Sequence, residues 1–151
     1  MKKISLLKYF LALTLVLLLA TLSVCLAAAG QKKISRVIIN KTIVKVELAD
    51  TPIKQYQGLS GRQSLCSNCG MLFVFSQKTP RDFVMRRMNF PLDILWISGS
   101  KIVKINKHLP PEGINYKKIY SSGASVDYVL EVNAGFAAQH KITVGDKINF
   151  Q

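Results

Sequence analysis

The stretch LDILWISGSKIVKI, residues 92–105, gives the clearest indication of the fold. It begins and ends with short, mainly apolar runs, and the Ser-Gly-Ser segment between them is typical of a turn. Two such runs joined by a glycine-containing turn predict a β-hairpin. The first run, residues 92–97, is apolar on both strand faces, which is typical of a strand at the centre of a sheet.

Short strands are predicted along the rest of the chain as well. A Thr-Pro pair at Thr51 and Pro52 predicts a short helix to about Leu59. The two prolines and the glycine of residues 108–113 predict a loop, and a helical turn is expected near residues 136–140. Many short strands with one or two short helices indicate a mostly β domain, either a compact β-sandwich or a β-barrel-like fold. The further predicted strands are residues 44–48, 71–75, 83–88, 128–132 and 147–150.

Residues 1–29 have the composition of a hydrophobic leader. Three lysines precede an uncharged stretch at residues 9–29. A helix of that length could just cross a bilayer core of about 30 Å. Basic residues before the apolar stretch orient the amino terminus towards the cytoplasm and the remainder away from it. We therefore expect a signal peptide or an N-terminal membrane anchor, followed by an extracytoplasmic domain.

Two features near the end of the leader bear on its processing. Ala27 and Ala29 give the small-x-small pattern that signal peptidase reads, so cleavage after Ala29 is our first interpretation and a retained anchor is the second. Cys25 raises a third interpretation, a lipoprotein, but Val24 stands where lipoprotein peptidases require a small residue. We expect residues 30–40 to form a basic tether. Residues 41–151 then form one β-rich domain that is secreted, periplasmic or anchored to the cytoplasmic membrane.

The chain is strongly basic. It has 21 Lys and Arg against 8 Asp and Glu, a net charge of +13, and +10 remains once the three lysines of the leader are removed. Such an excess favours anionic partners, which outside the membrane would be phospholipid head groups, envelope polymers or anionic metabolites. The basic residues are scattered and show no aromatic-interleaved basic motif, so we expect no nucleic-acid partner. The sequence does not indicate an oligomeric state.

Cys66 and Cys69 form an isolated CxxC motif in a polar segment before Gly70. In an oxidising compartment the simplest interpretation is a local disulfide. Two alternatives stay open: a redox site, which needs an activated thiolate, and a zinc site, which needs four ligands where this motif offers two. His108 and His140 are the only histidines, and their spacing is far from that of a zinc finger. We therefore predict a disulfide, no metal and no cofactor.

The sequence lacks the common catalytic motifs. Ser60 lies in Gly-Leu-Ser-Gly-Arg, where Arg62 replaces the second glycine of a nucleophile elbow. There is no phosphate-binding glycine loop and no HExxH motif. Met71, Met85 and Met88 could suggest a copper site with the cysteines, but methionines in apolar strands usually fill a core.

Two acidic residues lie in predicted apolar strands, Asp93 in LDILWI and Glu131 in YVLEV. An acid buried in such a strand must be paired or hydrogen-bonded, and Arg86 and Arg87 are the nearest candidate partners of Asp93. One interpretation is a buried ion pair that holds the sheet corner at Pro91. The other is a ligand site, since perturbed acids mark either. The candidate ligand-binding residues are Met85, Arg86, Arg87, Asp93, Glu131 and Asn133.

Several blocks in a fixed order carry a resemblance to a known family. They are VELADTP from Val46, QGLSGR from Gln57, GMLFVF from Gly70, FVMRRMNFPLDILWI from Phe83, YVLEVNAG from Tyr128 and VGDKINF from Val144. With these blocks the chain resembles domain of unknown function 192, a widespread prokaryotic family, over roughly residues 41–150. The resemblance implies a mostly β fold and names no reaction.

One block departs from the commoner pattern of that family. At residues 83–93 the pattern reads Phe-Trp-Met-Lys-Asn-Thr, two variable residues and Pro-Leu-Asp. This chain keeps the phenylalanine, the methionine and the Pro-Leu-Asp, but Val84, Arg87 and Met88 replace Trp, Asn and Thr. A site built on those three side chains would differ here, whereas the acid and the proline corner are retained.

These observations favour a binding or accessory module at the cell envelope, with a pocket near Asp93 and Glu131 for a polar or anionic ligand. The alternative is a small envelope-associated enzyme that uses the two carboxyls as an acid and base pair. An enzyme would need both carboxyls in one open cleft. The absence of a recognisable nucleophile, metal set or cofactor motif in the sequence favours the binding module.

Overall fold

Nine strands and two short helices make up the part of the chain that the computed structural model describes, residues 34–151. The predicted leader at residues 1–29 and the start of the predicted tether lie outside the described residues. Between residues 34 and 151, no helix has the length and apolar composition needed to cross a bilayer. The strands are β1 (Arg36–Ile39), β2 (Thr42–Ala49), β3 (Cys69–Thr79), β4 (Asp82–Phe83), β5 (Leu92–Ser98), β6 (Lys101–Leu109), β7 (Tyr120–Ser121), β8 (Val126–Asn133) and β9 (Ile148–Phe150), and the helices are α1 (Pro52–Gln57) and α2 (Phe136–Gln139).

Seven of the strands form one curled sheet in the order β6-β5-β8-β3-β2-β1-β9, while β4 and β7 form a separate two-stranded ribbon. Within the large sheet only β2 and β3 are parallel, and the segment that contains α1 connects them. The curled sheet is a half-barrel, which confirms the predicted mostly β, barrel-like fold. The predicted hairpin is the antiparallel pair β5 and β6.

Both faces of the sheet are covered by apolar side chains. β5 is buried throughout residues 92–97, as its composition predicts. On one face, Leu95 packs in a core that includes Phe136 of α2, and we call this the α2 face. On the other, Ile94 and Trp96 pack in a second core, and we call this the pocket face. The two cores are separate because successive strand residues point to opposite sides.

The start of the domain corrects the predicted tether at residues 30–40. Arg36–Ile39 forms β1, which pairs with β2 and β9, and Val37 and Ile39 are fully buried. Asn40 has a φ of 55° and forms a two-residue hairpin loop with Lys41. Asparagine adopts this left-handed conformation at low cost, which favours a tight hairpin. The domain therefore begins before residue 41.

Helix α1 begins as predicted and ends earlier. Thr51 caps the first turn through its side-chain oxygen, and Pro52 is the first helical residue. Gly58, with a φ of 50°, ends the helix after Gln57, before the predicted end at Leu59. The chain then turns onto the pocket face, where Leu59 is buried.

Residues 83–88 do not form the continuous strand that their apolar side chains predict. Only residues 82–83 are strand; Arg86 forms an isolated bridge with Glu112, and Arg87, with a φ of 52°, leaves the extended conformation. The backbone of this segment instead hydrogen-bonds to Glu112 and Gly113 at 2.9–3.2 Å. The segment is thus an ordered loop that closes one side of the pocket face.

Strand β6 is longer than the predicted residues 102–105 and runs to Leu109, so the predicted loop at residues 108–113 begins later. Its pairing with β5 shifts register near His108, which has a φ of 53°. The shift arises because β6 has an extra residue here relative to β5. An extra residue of this kind forms a β-bulge, which leaves a backbone N–H that the partner strand does not pair.

Candidate functional site

The two candidate acids lie on opposite faces of the sheet. In the pairing of β5 with β8, Asp93 is opposite Val132 and Glu131 is opposite Ile94. Asp93 therefore points to the α2 face and Glu131 to the pocket face. The prediction that both carboxyls could line one cleft is wrong, because the alternation of a strand separates them.

Asp93 is held by backbone N–H groups. Its side chain is fully buried, one carboxylate oxygen accepts the N–H of His108 at 2.8 Å, and the other accepts the N–H of Ala137 at 3.0 Å. The predicted pairing with Arg86 or Arg87 is wrong. The donors are instead the unpaired amide of the β6 bulge and an amide in the first turn of α2, both of which need an acceptor when buried. Through these two hydrogen bonds, Asp93 of β5 connects that strand to α2 and to β6.

A cavity of about 260 Å³ lies on the pocket face. Its walls come from the end of α1 and the residues that follow, from β3 and from the ordered loop at residues 82–88, and Tyr116 contributes from the loop after residue 113. Glu131 of β8 and Asp82 of β4 bring two acids to this cavity, and Asp82 is exposed. The lining therefore joins segments that are distant in sequence.

Glu131 is the chemically distinctive group of the cavity. It is 5% exposed, and within residues 34–151 no side chain or backbone group forms a hydrogen bond or an ion pair with its carboxyl. Burial raises the pKa of Glu131 to about 8. Removal from water disfavours the charged form of an acid, and no positive group restores it. At neutral pH the cavity therefore presents a protonated carboxyl, which can both donate and accept a hydrogen bond.

Arg86 lines the same cavity and supplies a positive charge. Its guanidinium lies over the Tyr56 ring, 4.1 Å from the centroid, and Nη2 donates to the Tyr56 carbonyl at 3.0 Å. Among the described residues, the buried Nε of Arg86 has no hydrogen-bond partner. Arg86 is thus positioned by α1 while keeping unused donor capacity.

Packing and hydrogen bonds make the walls rigid. The Phe83 ring meets the Phe73 and Trp96 rings edge to face, at centroid distances of 4.8 and 5.4 Å. The Ser60 hydroxyl donates to the Arg86 carbonyl at 2.9 Å, and Gln55 donates to the Val74 carbonyl at 2.8 Å. The cavity is therefore formed by an ordered frame before any ligand arrives.

The other predicted site residues lie elsewhere. Met85 is fully buried in the core of the pocket face, together with Met71 and Met88. Arg87 is exposed and does not line the cavity. Asn133 donates to the Cys66 carbonyl at 3.0 Å and to the Leu65 carbonyl at 3.2 Å. Of the six predicted ligand-binding residues, the structure brings only Arg86 and Glu131 together at the cavity.

Cys66 and Cys69 are joined by a disulfide, with their Cα atoms 5.1 Å apart, as predicted. The bond closes the loop just before β3, and Asn133 of β8 anchors that loop. Over residues 34–151, no group of three or more His, Cys, Asp or Glu side chains is arranged to hold a metal ion. The disulfide therefore belongs to the frame of the sheet and lies apart from the cavity lining.

The aromatic lining of the cavity was not predicted from the sequence. Tyr56 and Tyr116 are both exposed, at 74% and 43%, and Phe83 forms part of a wall. An exposed tyrosine in a short capped helix carries a weak signal for binding, but the partner across the cavity comes from a loop about 60 residues away, which no local pattern reveals.

The family model of DUF192, described as "Uncharacterized ACR", matches residues 35–150. The chain belongs to the DUF192 family. This match covers the whole of the curled sheet and starts at β1, in agreement with the corrected domain boundary. No curated protein matches the chain.

Two solved structures share this fold. A "putative transcription regulator" from Sinorhizobium meliloti 1021 is 30% identical, with a TM-score of 0.70, over 80% of this chain and 98% of that chain. A protein of unknown function from Novosphingobium aromaticivorans DSM 12444 is 27% identical, with a TM-score of 0.71, over 81% of this chain and 89% of that chain. Both structures therefore share the half-barrel fold of this chain.

Proposed function

We propose that this DUF192 domain is a binding module whose cavity on the pocket face takes a small polar or anionic ligand. The observation that carries the proposal is Glu131, a buried carboxyl without a partner beside a preformed cavity. Burying an acid without a partner destabilises the fold. Such a cost is typical of residues kept for function rather than for stability.

The chemistry of the lining supports a ligand with hydrogen-bond acceptors. The protonated Glu131 carboxyl and the Arg86 guanidinium both offer donors, and the aromatic rings of Tyr56, Phe73 and Phe83 offer apolar surface beside them. Polar groups that converge on a cavity beside apolar and aromatic surface are typical of small-molecule sites. The net charge of +13 favours the approach of an anionic ligand.

The proposal includes an extracytoplasmic location. The leader predicted at residues 1–29, with its apolar stretch at residues 9–29, supports it, and so does the Cys66–Cys69 disulfide, because disulfides persist in oxidising compartments. Intact cells treated with external protease, after permeabilisation of any outer envelope, should lose the domain. Protection equal to that of a cytoplasmic control protein would contradict this location.

The geometry weakens the enzyme alternative. An acid and base pair formed by Asp93 and Glu131 would need both carboxyls at one substrate. The sheet divides them, and the Asp93 oxygens are occupied by the His108 and Ala137 amides. A binding role needs only Glu131 and its surroundings.

A thermal-shift screen of the full chain tests the proposal. Small carboxylates, phosphates, sugars and nucleotides are added, and a compound that binds only the folded state at 100 times its Kd should stabilise it by about 2.7 kcal/mol. Arg86→Gln should abolish the shift, whereas Arg87→Gln, the matched change outside the cavity, should keep it. A shift that survives both Arg86→Gln and Glu131→Gln would place the binding site elsewhere.

A further inference from the structure

Exposed apolar side chains are concentrated around one loop. Among residues 34–151, five of the seven exposed large hydrophobic residues lie in α1 or in the loop at residues 113–119. In α1, Ile53 precedes Tyr56 by three residues, so the two share a helix face. Tyr56 and Tyr116 line the same cavity, so the helix and the loop are neighbours. The five residues are Ile53 (79% exposed), Tyr56, Ile114, Tyr116 and Ile119.

The same loop is basic. Between Gly113 and Ile119 the sequence is GINYKKI, with Lys117 and Lys118 between the exposed apolar residues and no acid. The preceding acid, Glu112, is engaged within the loop, where its carboxylate accepts the backbone N–H groups of Lys117 and Lys118 at 3.3 and 3.4 Å. These bonds fix the loop backbone and leave both lysine side chains exposed.

From this juxtaposition we infer that the loop at residues 113–119, together with the exposed face of α1, docks on an anionic phospholipid surface. Isoleucine and tyrosine side chains insert at the boundary between head groups and acyl chains, and lysines beside them pair with the anionic head groups. A contiguous exposed apolar surface marks an interaction site. Positive charge within it specifies a negative partner, and the domain as a whole is positive as well.

The chain outside the described residues favours a membrane over other anionic partners. The apolar stretch at residues 9–29 is long enough to enter a bilayer, and it would keep the domain close to one. A cleaved leader would deliver the domain to the outer surface of that membrane, where the loop would be its attachment. A retained leader would hold the chain there by itself, and the loop would then orient the domain against the lipid. This inference does not depend on what the cavity binds.

Full-length protein carrying Ile119→Trp tests the inference. The native Trp96 is fully buried, so the new indole reports on the loop. We expect acyl-brominated vesicles containing phosphatidylglycerol to quench it, and zwitterionic vesicles of phosphatidylcholine to quench it much less. Lys117→Gln with Lys118→Gln should raise the anionic-lipid concentration needed for half-maximal quenching by about 25-fold, roughly five-fold per lysine. Ile114→Ser should reduce the depth of insertion.

A matched control is available on the hairpin that joins β1 and β2 and on the turn before β9. Asn40 hydrogen-bonds Asp146 there, so the two turns are adjacent, and Lys41, Ile43, Val144 and Lys147 are exposed. Lys41→Gln with Lys147→Gln removes the same charge and should leave quenching unchanged. The inference would be overturned by an equal loss of quenching in this control, or by the absence of quenching with anionic vesicles. A concentration-dependent blue shift without vesicles would also overturn it, because it would show self-association instead.

Discussion

Asp93 and Glu131 lie one step apart in the register of β5 and β8, with their side chains on opposite faces of the sheet. Asp93 accepts hydrogen bonds from two backbone amides, whereas within residues 34–151 the carboxyl of Glu131 makes no hydrogen bond. Both are buried, so composition and burial alone make them look alike. Their surroundings give them opposite effects on the stability of the fold, and substitutions distinguish them.

Asp93→Ala should strongly destabilise the domain. It leaves the His108 and Ala137 amides buried without an acceptor, and loss of two charge-assisted hydrogen bonds should cost about 3 kcal/mol or more. Asp93→Asn keeps one acceptor oxygen but turns its amide nitrogen towards a second donor, so it should cost less than alanine and still lower the melting temperature. Urea unfolding of both variants gives the free energies. A change below about 1 kcal/mol in Asp93→Ala would contradict the role assigned to Asp93.

The sequence predicts the burial of Asp93 but not its partners. The strand around it is apolar on both faces, and its two faces were assigned correctly, with Leu95 and Ile97 on the side of Asp93. The partners are a bulge amide and a helix-end amide, which every residue type possesses. Side-chain identity therefore suggests the nearest arginines as partners of Asp93, whereas backbone amides form its hydrogen bonds in the structure.

The cavity was still less predictable, because it depends on segments brought together only by the fold. Arg86 and Glu131 could be selected from the sequence because they are ionisable. Tyr116 and the residues of α1 line the same cavity only because the fold brings their segments there. By contrast, the sequence contains a pattern that predicts β1. Its β-branched residues and those of β2 flank an Asn-Lys pair that suits a two-residue hairpin loop, but the lysines before it suggested a tether.

The cysteines should be oxidised in protein isolated from its native compartment. Alkylation without a reductant, followed by mass spectrometry, should find Cys66 and Cys69 both blocked and linked to each other. Removing the bond by replacing both with Ser should have a small effect, because a disulfide closing a very short loop restricts the unfolded chain little. Two freely alkylated thiols, or metal released in stoichiometric amount by acid, would contradict the disulfide.

Gly70→Ala should destabilise the sheet next to the cavity. A Cβ at Gly70 would lie 2.7 Å from the Glu131 carbonyl oxygen, and this backbone atom cannot move without shifting β8. We expect a loss of about 1–3 kcal/mol, as for other overpacked sites. Gly113→Ala is the control, because a Cβ there meets nothing within 4 Å. Equal melting temperatures for the two variants would show that β3 and β8 can separate without cost.

Glu131 should make the domain less stable as the pH rises. The folded-state pKa of about 8 lies above the ordinary value of 4.5, so the folded state binds more protons than the unfolded state between these two values. The free energy of unfolding should therefore fall across this window, by at most about 1.4 kcal/mol per pH unit, and level off above pH 8. Below about pH 4.5 the carboxyl is protonated in both states, and its contribution vanishes.

Glu131→Gln isolates that contribution, since glutamine has nearly the same shape and cannot ionise. The variant should match the parent near pH 4.5 and exceed its free energy of unfolding by on the order of 3–5 kcal/mol at pH 8. Asp82→Asn is the control, because it removes one acid from the same cavity at an exposed position. Urea denaturation at pH 5, 6.5 and 8 supplies the comparison. Parallel profiles for parent and Glu131→Gln would show that water or a neighbouring group already satisfies the carboxyl, and the main support for a ligand at this cavity would be lost.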